Sequence, residues 1–183
     1  MSTAQTAVLT AAQVQGAGTS FIASLTTDAI ASLSNVQARA MTTDQVVALT
    51  TAQASALSTT AIAAMSPSQI TSIAIDDFAK LTTSAIRAIG NSAVAVLTTT
   101  QVASMTTDQV QALSTLQMQQ LTANQVTALT TAQAAALTSA QVSVMSSAQV
   151  AGFETADIAA MSTNAVASLT ANQVKAHSTA QLV

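Results

Sequence analysis

The chain has 183 residues with a formal net charge of -3, no Cys, one Pro and four Gly, and only 6% of its residues are charged. Four basic side chains cannot neutralise a phosphate backbone, which argues against nucleic-acid binding. A chain without Cys has no disulfide scaffold and no thiolate metal site.

An eight-residue repeat starts at Met1 and runs through the chain without an insertion or deletion. It gives 22 full octads and a last one, residues 177–183, that is one residue short. Position one holds 12 of the 14 Leu and six of the seven Met, and position five holds 15 of the 19 Gln. Position two is Ser or Thr in 19 octads and position six is apolar in 22. The consensus is Leu-Thr-Thr-x-Gln-Val-x-Ala.

A period of eight suits neither a continuous helix nor a strand. In a straight α-helix the repeat would drift by about 80° per octad, so no apolar stripe would persist. In a strand, the apolar positions one and six would point to opposite faces. We therefore expect each octad to begin a new short helix.

Ser or Thr at position two with Gln three residues later is a capping box. All 15 octads with Gln at position five have Ser or Thr at position two. The apolar residues at positions one and six, such as Leu121 and Val126, then form a hydrophobic staple. Positions three, four and seven are expected to face solvent, and the small residue at position eight to allow close approach.

Helices of about six residues are unstable alone and need neighbours. The octads therefore predict an all-α fold, a single uninterrupted solenoid of 23 tandem repeats over residues 1–183, with no β-sheet. The number of octads per superhelical turn does not follow from the sequence.

Individual residues along the chain test this assignment of octad positions to helix positions. Phe21 is the one bulky residue in the glutamine column, position five, and predicts local repacking. The only proline, Pro67, falls at the first helical position, where its missing N–H would be unpaired anyway. Carboxylates at the second helical position suit the helix dipole; the aspartates there are Asp28, Asp44, Asp76 and Asp108.

Octad ten, residues 73–80, departs from the consensus and is the candidate interaction patch. The purely structural interpretation of this octad is a solvated surface with local ion pairs. The functional interpretation is a binding site, or a carboxylate pair for acid–base chemistry. Adjacent carboxylates in a first helical turn are, however, explained more simply by the helix dipole. The patch comprises Asp76, Asp77, Phe78, Lys80 and, in the next octad, Arg87.

Two further departures lie near the end of the chain. Glu154 and Asp157 invert the capping chemistry next to Phe153, and we expect them to cap rather than catalyse. His177 occupies position one of the last octad, where we expect a frayed end or a cap. No second His, Cys or Ser–Asp pair accompanies it, so neither a metal site nor a triad is predicted. We expect no enzymatic activity, no cofactor and no small-molecule substrate.

Three other classes fit the chain less well. A disordered chain has no reason to keep apolar residues in register, and a β-aggregate conflicts with the parity of positions one and six. Membrane insertion is not expected, because Thr and Gln interrupt the uncharged residues 109–153 every few positions. The first residues lack the basic and apolar regions of a secretory signal peptide.

Octads such as LTTAQAAALTSAQVSV resemble tracts in very large, repeat-rich bacterial proteins that look secreted or surface-attached and are often described as adhesin-like. The resemblance covers the whole chain. It implies a spacer, stalk or matrix role and an extracellular or cell-surface location without a classical signal peptide. The calcium-binding nonapeptides that often accompany such proteins are absent from this sequence, so no calcium site is implied. The chain is expected to be either a small stand-alone member or a fragment.

The leading functional hypothesis is a structural module that assembles with copies of itself, head to tail or side by side. Its near-neutral octads favour self-association, and each unit of a one-dimensional array contacts only neighbours. The alternative is a binding protein whose regular threonines contact a periodic target such as ice or a polysaccharide, because position three is Thr in 14 of 23 octads.

Overall fold

Each octad forms one short α-helix in the computed structural model, which describes residues 2–177. These residues form 22 helices of four to six residues, and none of them lies in a strand. The all-α prediction is therefore confirmed for this part of the chain. The predictions for Met1 and for residues 178–183, the rest of the last octad, lie outside the described residues.

The structure divides into two compact units, the N-terminal unit (Met1–Val96) and the C-terminal unit (Leu97–Val183). The second unit begins at the first residue of an octad. A single solenoid over residues 1–183 stays a prediction.

The helices of the N-terminal unit are α1 (Thr3–Ala7), α2 (Ala11–Gly16), α3 (Thr19–Ala23), α4 (Thr27–Ala31), α5 (Asn35–Ala40), α6 (Thr43–Val47), α7 (Thr51–Ser55), α8 (Thr59–Ala64), α9 (Pro67–Ser72), α10 (Ile75–Phe78), α11 (Thr83–Ala88) and α12 (Asn91–Val94). The helices of the C-terminal unit are α13 (Thr99–Ser104), α14 (Thr107–Ala112), α15 (Thr115–Gln120), α16 (Ala123–Thr127), α17 (Thr131–Ala135), α18 (Ser139–Ser143), α19 (Ser147–Val150), α20 (Thr155–Ala160), α21 (Thr163–Ala167) and α22 (Ala171–Ala176).

Capping boxes begin the helices of the octads that have Gln at position five, as predicted. In α14 the Thr106 hydroxyl accepts from the backbone N–H of Gln109 at 3.1 Å, and the backbone N–H of Thr106 donates to Gln109 Oε1 at 2.8 Å. The same reciprocal pair occurs in every described octad with Gln at position five. Pro67 is the first residue of α9, which confirms the frame independently.

Each helix ends because the chain is extended at the residue before the next cap and at the cap itself. At the end of α14, the backbone N–H of Leu113 donates to the carbonyl of Val110 at 3.2 Å. Leu113 then has φ -58° and ψ 129°, and the following cap, Ser114, has φ -68° and ψ 160°. Two extended residues thus separate successive helices, and no described residue needs a positive φ.

The burial pattern confirms most of the expected columns. Positions one and six face the core, as in Leu121 and Val126, although position one is only half-buried at Leu9, Ala17 and Leu169 and position six is exposed at Val166 and Val174. Position four is exposed throughout the described octads, and positions three and seven are exposed in most of them. Close packing at position eight is seen at Gly152, where an added Cβ would lie 3.0 Å from Thr127 Oγ1 and 3.1 Å from the carbonyl of Ala123.

The number of octads per turn follows from two sets of contacts within each unit. Each helix packs on the helix three places later, for example α5 on α8 and α16 on α19. Side-chain hydrogen bonds reach back four octads, as from Gln53 in α7 to the carbonyl of Ile22 in α3. One superhelical turn therefore holds between three and four octads, or about 28 residues. None of the described helices is long and apolar enough to cross a membrane.

We expect Thr106→Ala to lower the free energy of unfolding by about 1 kcal/mol, because it removes the side-chain acceptor of a helix cap. Urea denaturation followed by circular dichroism at 222 nm measures this loss. Thr107→Ala is the matched control: it changes an exposed residue outside the cap and should alter stability by less than about 0.5 kcal/mol. Equal losses in the two variants would contradict the capping role.

Candidate functional site

The five residues of the candidate interaction patch do not share one surface. Asp76, Lys80 and Arg87 are exposed, whereas Asp77 is only 6% exposed and Phe78 is fully buried. Positions five and six both face the core, so Asp77 and Phe78 belong to buried columns. The role of the exposed residues as an interaction patch stays a prediction.

Asp157 and Glu154 form a capping box with inverted residue types, as expected. Asp157 Oδ2 accepts from the backbone N–H of Glu154 at 3.1 Å at the start of α20. His177 ends α22 and is 8% exposed, and neither ring nitrogen has a hydrogen-bond partner among the described residues. No group of three or more His, Cys, Asp or Glu side chains among residues 2–177 could hold a metal ion.

The strongest polar feature of the structure is the glutamine column. In α17, Gln133 Oε1 accepts from the backbone N–H of Thr130 at 2.8 Å. On its other side, Gln133 Nε2 donates to the carbonyls of Val102 at 3.0 Å and Met105 at 2.6 Å. One side chain therefore caps its own helix and binds two carbonyls one turn back, that of Val102 in the last turn of α13 and that of Met105 just after it.

The same bridge recurs in both units. The first carbonyl lies 31 residues before the glutamine, at position six, and the second lies 28 residues before it, at position one of the following octad. The distances from Nε2 to these carbonyl oxygens lie between 2.6 and 3.0 Å. Gln125 shows the 28-residue bond to Leu97 within the C-terminal unit. The glutamines that make both bonds within one unit are Gln37, Gln45, Gln53 and Gln69 in the N-terminal unit and Gln133, Gln141, Gln149 and Gln173 in the C-terminal unit.

These bridging glutamines are almost fully buried, yet their polar atoms are paired. The amide oxygen accepts one backbone N–H, and the two amide hydrogens serve two carbonyls. Pairing of this kind matters because a buried polar group without a partner costs about 1–3 kcal/mol. The glutamine column is thus a polar seam inside an otherwise apolar core, and it holds successive turns together.

Octads that lack the glutamine tend to carry a larger apolar residue at position six. The residue at position five is then Ala in five octads, Asp in two and Phe in one. Five of the six isoleucines at position six belong to these octads, whereas octads with Gln mostly carry Val or Ala there. A larger position-six side chain therefore accompanies the loss of the amide, in line with conservation of core volume.

Two glutamines of the column differ from the rest. Gln5 and Gln13 form capping boxes, with the backbone N–H groups of Ser2 and Thr10 donating to their Oε1 atoms at 3.0 and 2.9 Å. Both side chains are exposed, and no carbonyl among the described residues accepts from their Nε2 atoms. They therefore present unused amide donors at one edge of the N-terminal unit.

The bridging role was not predicted from the sequence, although a signal for it exists. A capping box accepts Glu as readily as Gln at its last position, but position five carries Gln 15 times and never Glu. Glu lacks the amide hydrogens that the bridge needs. The hydrogen bonds from Nε2 to the carbonyls one turn back therefore explain why position five carries Gln rather than Glu.

The threonines at position three form the other regular feature. Every described threonine at this position is exposed, including Thr27, Thr43, Thr51 and Thr59 on α4, α6, α7 and α8 of the N-terminal unit. The hydroxyls at position two are engaged in caps. The exposed array expected from the sequence is therefore present.

The capped helices, the apolar columns and the glutamine bridges define each unit as an all-α repeat solenoid. Residues 70–107 and 150–183 match the ALTTAQ repeat family, which supports a repeat tract. No curated protein and no solved structure matches the chain.

We expect Gln133→Glu to lower the free energy of unfolding by at least about 3 kcal/mol, because a buried carboxylate would replace the amide hydrogens facing two carbonyls. Gln13→Glu is the matched control. Gln13 belongs to an equivalent capping box, that of α2, but forms no bridge, so its substitution should change the free energy of unfolding by less than about 0.5 kcal/mol. Urea denaturation of dilute samples measures both changes. Similar small effects in the two variants would refute the bridge.

Proposed function

We propose that this protein is a structural repeat module that assembles with copies of itself and works as a spacer, filament or matrix component. The observation that carries the proposal is the glutamine bridge, which joins one turn to the next through main-chain carbonyls. Because every octad has such carbonyls, the surface that stacks one turn on another is generic. A further array of octads fits it without a dedicated partner site.

The outer surface supports the same proposal. It consists mainly of Thr, Ala, Ser and Gln at positions three, four and seven, with few charges to keep copies apart. Several apolar side chains are exposed as well, among them Val36, Val47 and Leu116. Weak repulsion and scattered apolar contacts both favour association between copies.

The proposal includes neither catalysis nor a cofactor. The buried carboxylates, Asp77 and Asp157, occupy the glutamine column, and Asp157 serves as a helix cap. The exposed aspartates Asp28, Asp44, Asp76 and Asp108 lie in first helical turns, where they complement the helix dipole. A location at the cell surface is proposed on the resemblance to adhesin-like tracts alone.

Multi-angle light scattering after gel filtration, over a hundredfold range of protein concentration, tests self-assembly. We expect the mass to grow with concentration from the 18.3 kDa monomer and negative-stain images of the top fraction to show uniform fibres. A mass that stays near 18.3 kDa at every concentration would contradict the proposal.

A second candidate function is binding of a periodic target, such as ice or a polysaccharide, through the position-three threonines. The exposed, regularly repeated hydroxyls favour it. Replacing Thr27, Thr43, Thr51 and Thr59 with Lys should then abolish thermal hysteresis or glycan binding while the helical circular dichroism is retained. Replacing the exposed, uncharged position-four residues Val36, Ala52, Thr60 and Ser68 with Lys adds the same four charges and is the control. Equal binding by the two variants would rule this function out.

A further inference from the structure

We propose that Asp77 and Asp157 each bind a calcium ion together with main-chain carbonyl oxygens of the preceding superhelical turn. Both aspartates occupy position five, from which the bridging glutamines donate to such carbonyls. The ion is structural, because it joins two turns as the amide of a glutamine does elsewhere. This inference goes beyond the proposed self-assembly and does not depend on it.

Asp77 stands where the structure elsewhere places an amide. On α7 and α9 of the same unit, the position-five glutamines donate to carbonyls 31 and 28 residues before them. The same offsets lead from Asp77 to the carbonyls of Val46 and Leu49. Both of these residues are buried, and no donor among residues 2–177 reaches the Leu49 carbonyl. An ionised carboxylate has no hydrogen to offer it.

The Asp77 side chain is buried without a partner. It is 6% exposed, and within the described part of the chain its carboxylate forms no hydrogen bond and no ion pair. Helix α7 packs on α10, and α6 supplies the Val46 carbonyl, yet neither α6 nor α7 carries a Lys or Arg. A buried carboxylate with neither kind of partner is strongly unfavourable. A bound cation supplies the missing positive charge.

Asp157 repeats the arrangement in the C-terminal unit. It is 3% exposed, and the carbonyls at the two offsets belong to Val126 and Leu129. Asp157 Oδ2 accepts from the backbone N–H of Glu154, as the Oε1 of a glutamine would. The other oxygen, Oδ1, therefore takes the place of Nε2. No donor in the described octads reaches the Leu129 carbonyl, and α16 and α17 carry no basic residue.

Aspartate is one bond shorter than glutamine, which leaves room for an ion. The Nε2 atoms of the bridging glutamines lie 2.6–3.0 Å from the carbonyl oxygens. A carboxylate oxygen of aspartate ends about 1.5 Å nearer to its own main chain, so its separation from the same carbonyls would be about 4 Å. Two oxygens at that separation can share one Ca²⁺, because each binds the ion at roughly 2.3–2.6 Å.

Ligand type and charge favour calcium among the cations. Carboxylate and carbonyl oxygens suit Ca²⁺ and Mg²⁺ rather than metals that prefer nitrogen or sulfur. Asp76 lies beside Asp77 in the first turn of α10. Glu154 is the cap of the helix that contains Asp157. Each site therefore has two negative charges, which match a divalent ion.

The irregular ligand set distinguishes calcium from magnesium. Ca²⁺ accepts about six to eight oxygens in flexible geometry, whereas Mg²⁺ requires a near-ideal octahedron. Neither site depends on a group of three acidic or imidazole side chains, which the described residues do not contain. Main-chain oxygens supply the remaining protein ligands, and water completes the coordination shell.

The test uses the double variant Asp77→Asn and Asp157→Asn, which keeps the size of both side chains and removes one negative charge from each site. The control, Asp28→Asn and Asp108→Asn, removes the same charge from an exposed position-four residue in each unit. Equilibrium dialysis of dilute protein against Ca²⁺ at up to about 10 mM measures uptake. We expect one ion per buried aspartate in the wild type and the control, and no uptake by the first variant.

Thermal unfolding followed by circular dichroism at 222 nm gives a second readout. Addition of Ca²⁺ to about 10 mM should raise the Tm of the wild type and the control by about 5 °C, because the ion binds only the folded state. The first variant should show no such rise. Without Ca²⁺ it should be at least as stable as the wild type, because the Asn amide supplies the hydrogens that the carboxylate lacks. NaCl at matched ionic strength and MgCl₂ are the salt controls.

Each outcome bears on the calcium sites alone. Uptake confined to the wild type and the control, with a Tm rise specific to Ca²⁺, supports the proposal. A wild type that takes up no Ca²⁺, a first variant that retains the uptake, or equal loss in the control overturns it. An equal Tm rise with MgCl₂ or NaCl indicates charge screening and also overturns it. Self-assembly is measured separately by light scattering, so its failure and the failure of the calcium sites are distinguishable.

Discussion

The whole architecture depends on a single side chain that satisfies two helix ends at once. A helix of six residues has most of its backbone polar groups at its ends, where no partner exists within the helix. Gln133 accepts a backbone N–H at the start of its own helix and donates to the carbonyls of Val102, in the last turn of α13, and Met105, just after it. Because Nε2 reaches both carbonyls only from the next turn, the same bonds that cap the helices fix the separation of successive turns.

The octads without this glutamine show how much variation the arrangement tolerates. Ala61 and Ala85 are fully buried, and each precedes an isoleucine at position six. Asp157 retains the inward capping bond through a carboxylate oxygen, with Glu154 in place of the usual hydroxyl residue. Turn-to-turn packing thus continues through apolar contact where the polar seam is interrupted, and α8 still packs on α5 and on α11.

The sequence predicted the local structure well and the contacts between turns poorly. The octad frame, the capping boxes, Pro67 at a first helical position and the buried columns at positions one and six all follow from spacing rules within one helix. The bridge from Gln133 to Val102 does not, because its acceptor is a main-chain carbonyl, which any residue supplies and which therefore leaves no complementary residue type to find. For the same reason Asp77 was grouped with its exposed neighbour Asp76, although position five faces the core.

Main-chain acceptors also bear on how such a chain changes in length during evolution. A glutamine that binds main-chain carbonyls accepts any octad one turn back, so adding or deleting a whole octad gives the glutamines of the next four octads new acceptors of the same kind. An insertion of one residue instead shifts the caps and the apolar columns out of register. Length is therefore expected to vary in steps of eight residues among relatives, with mutations of other sizes removed by selection.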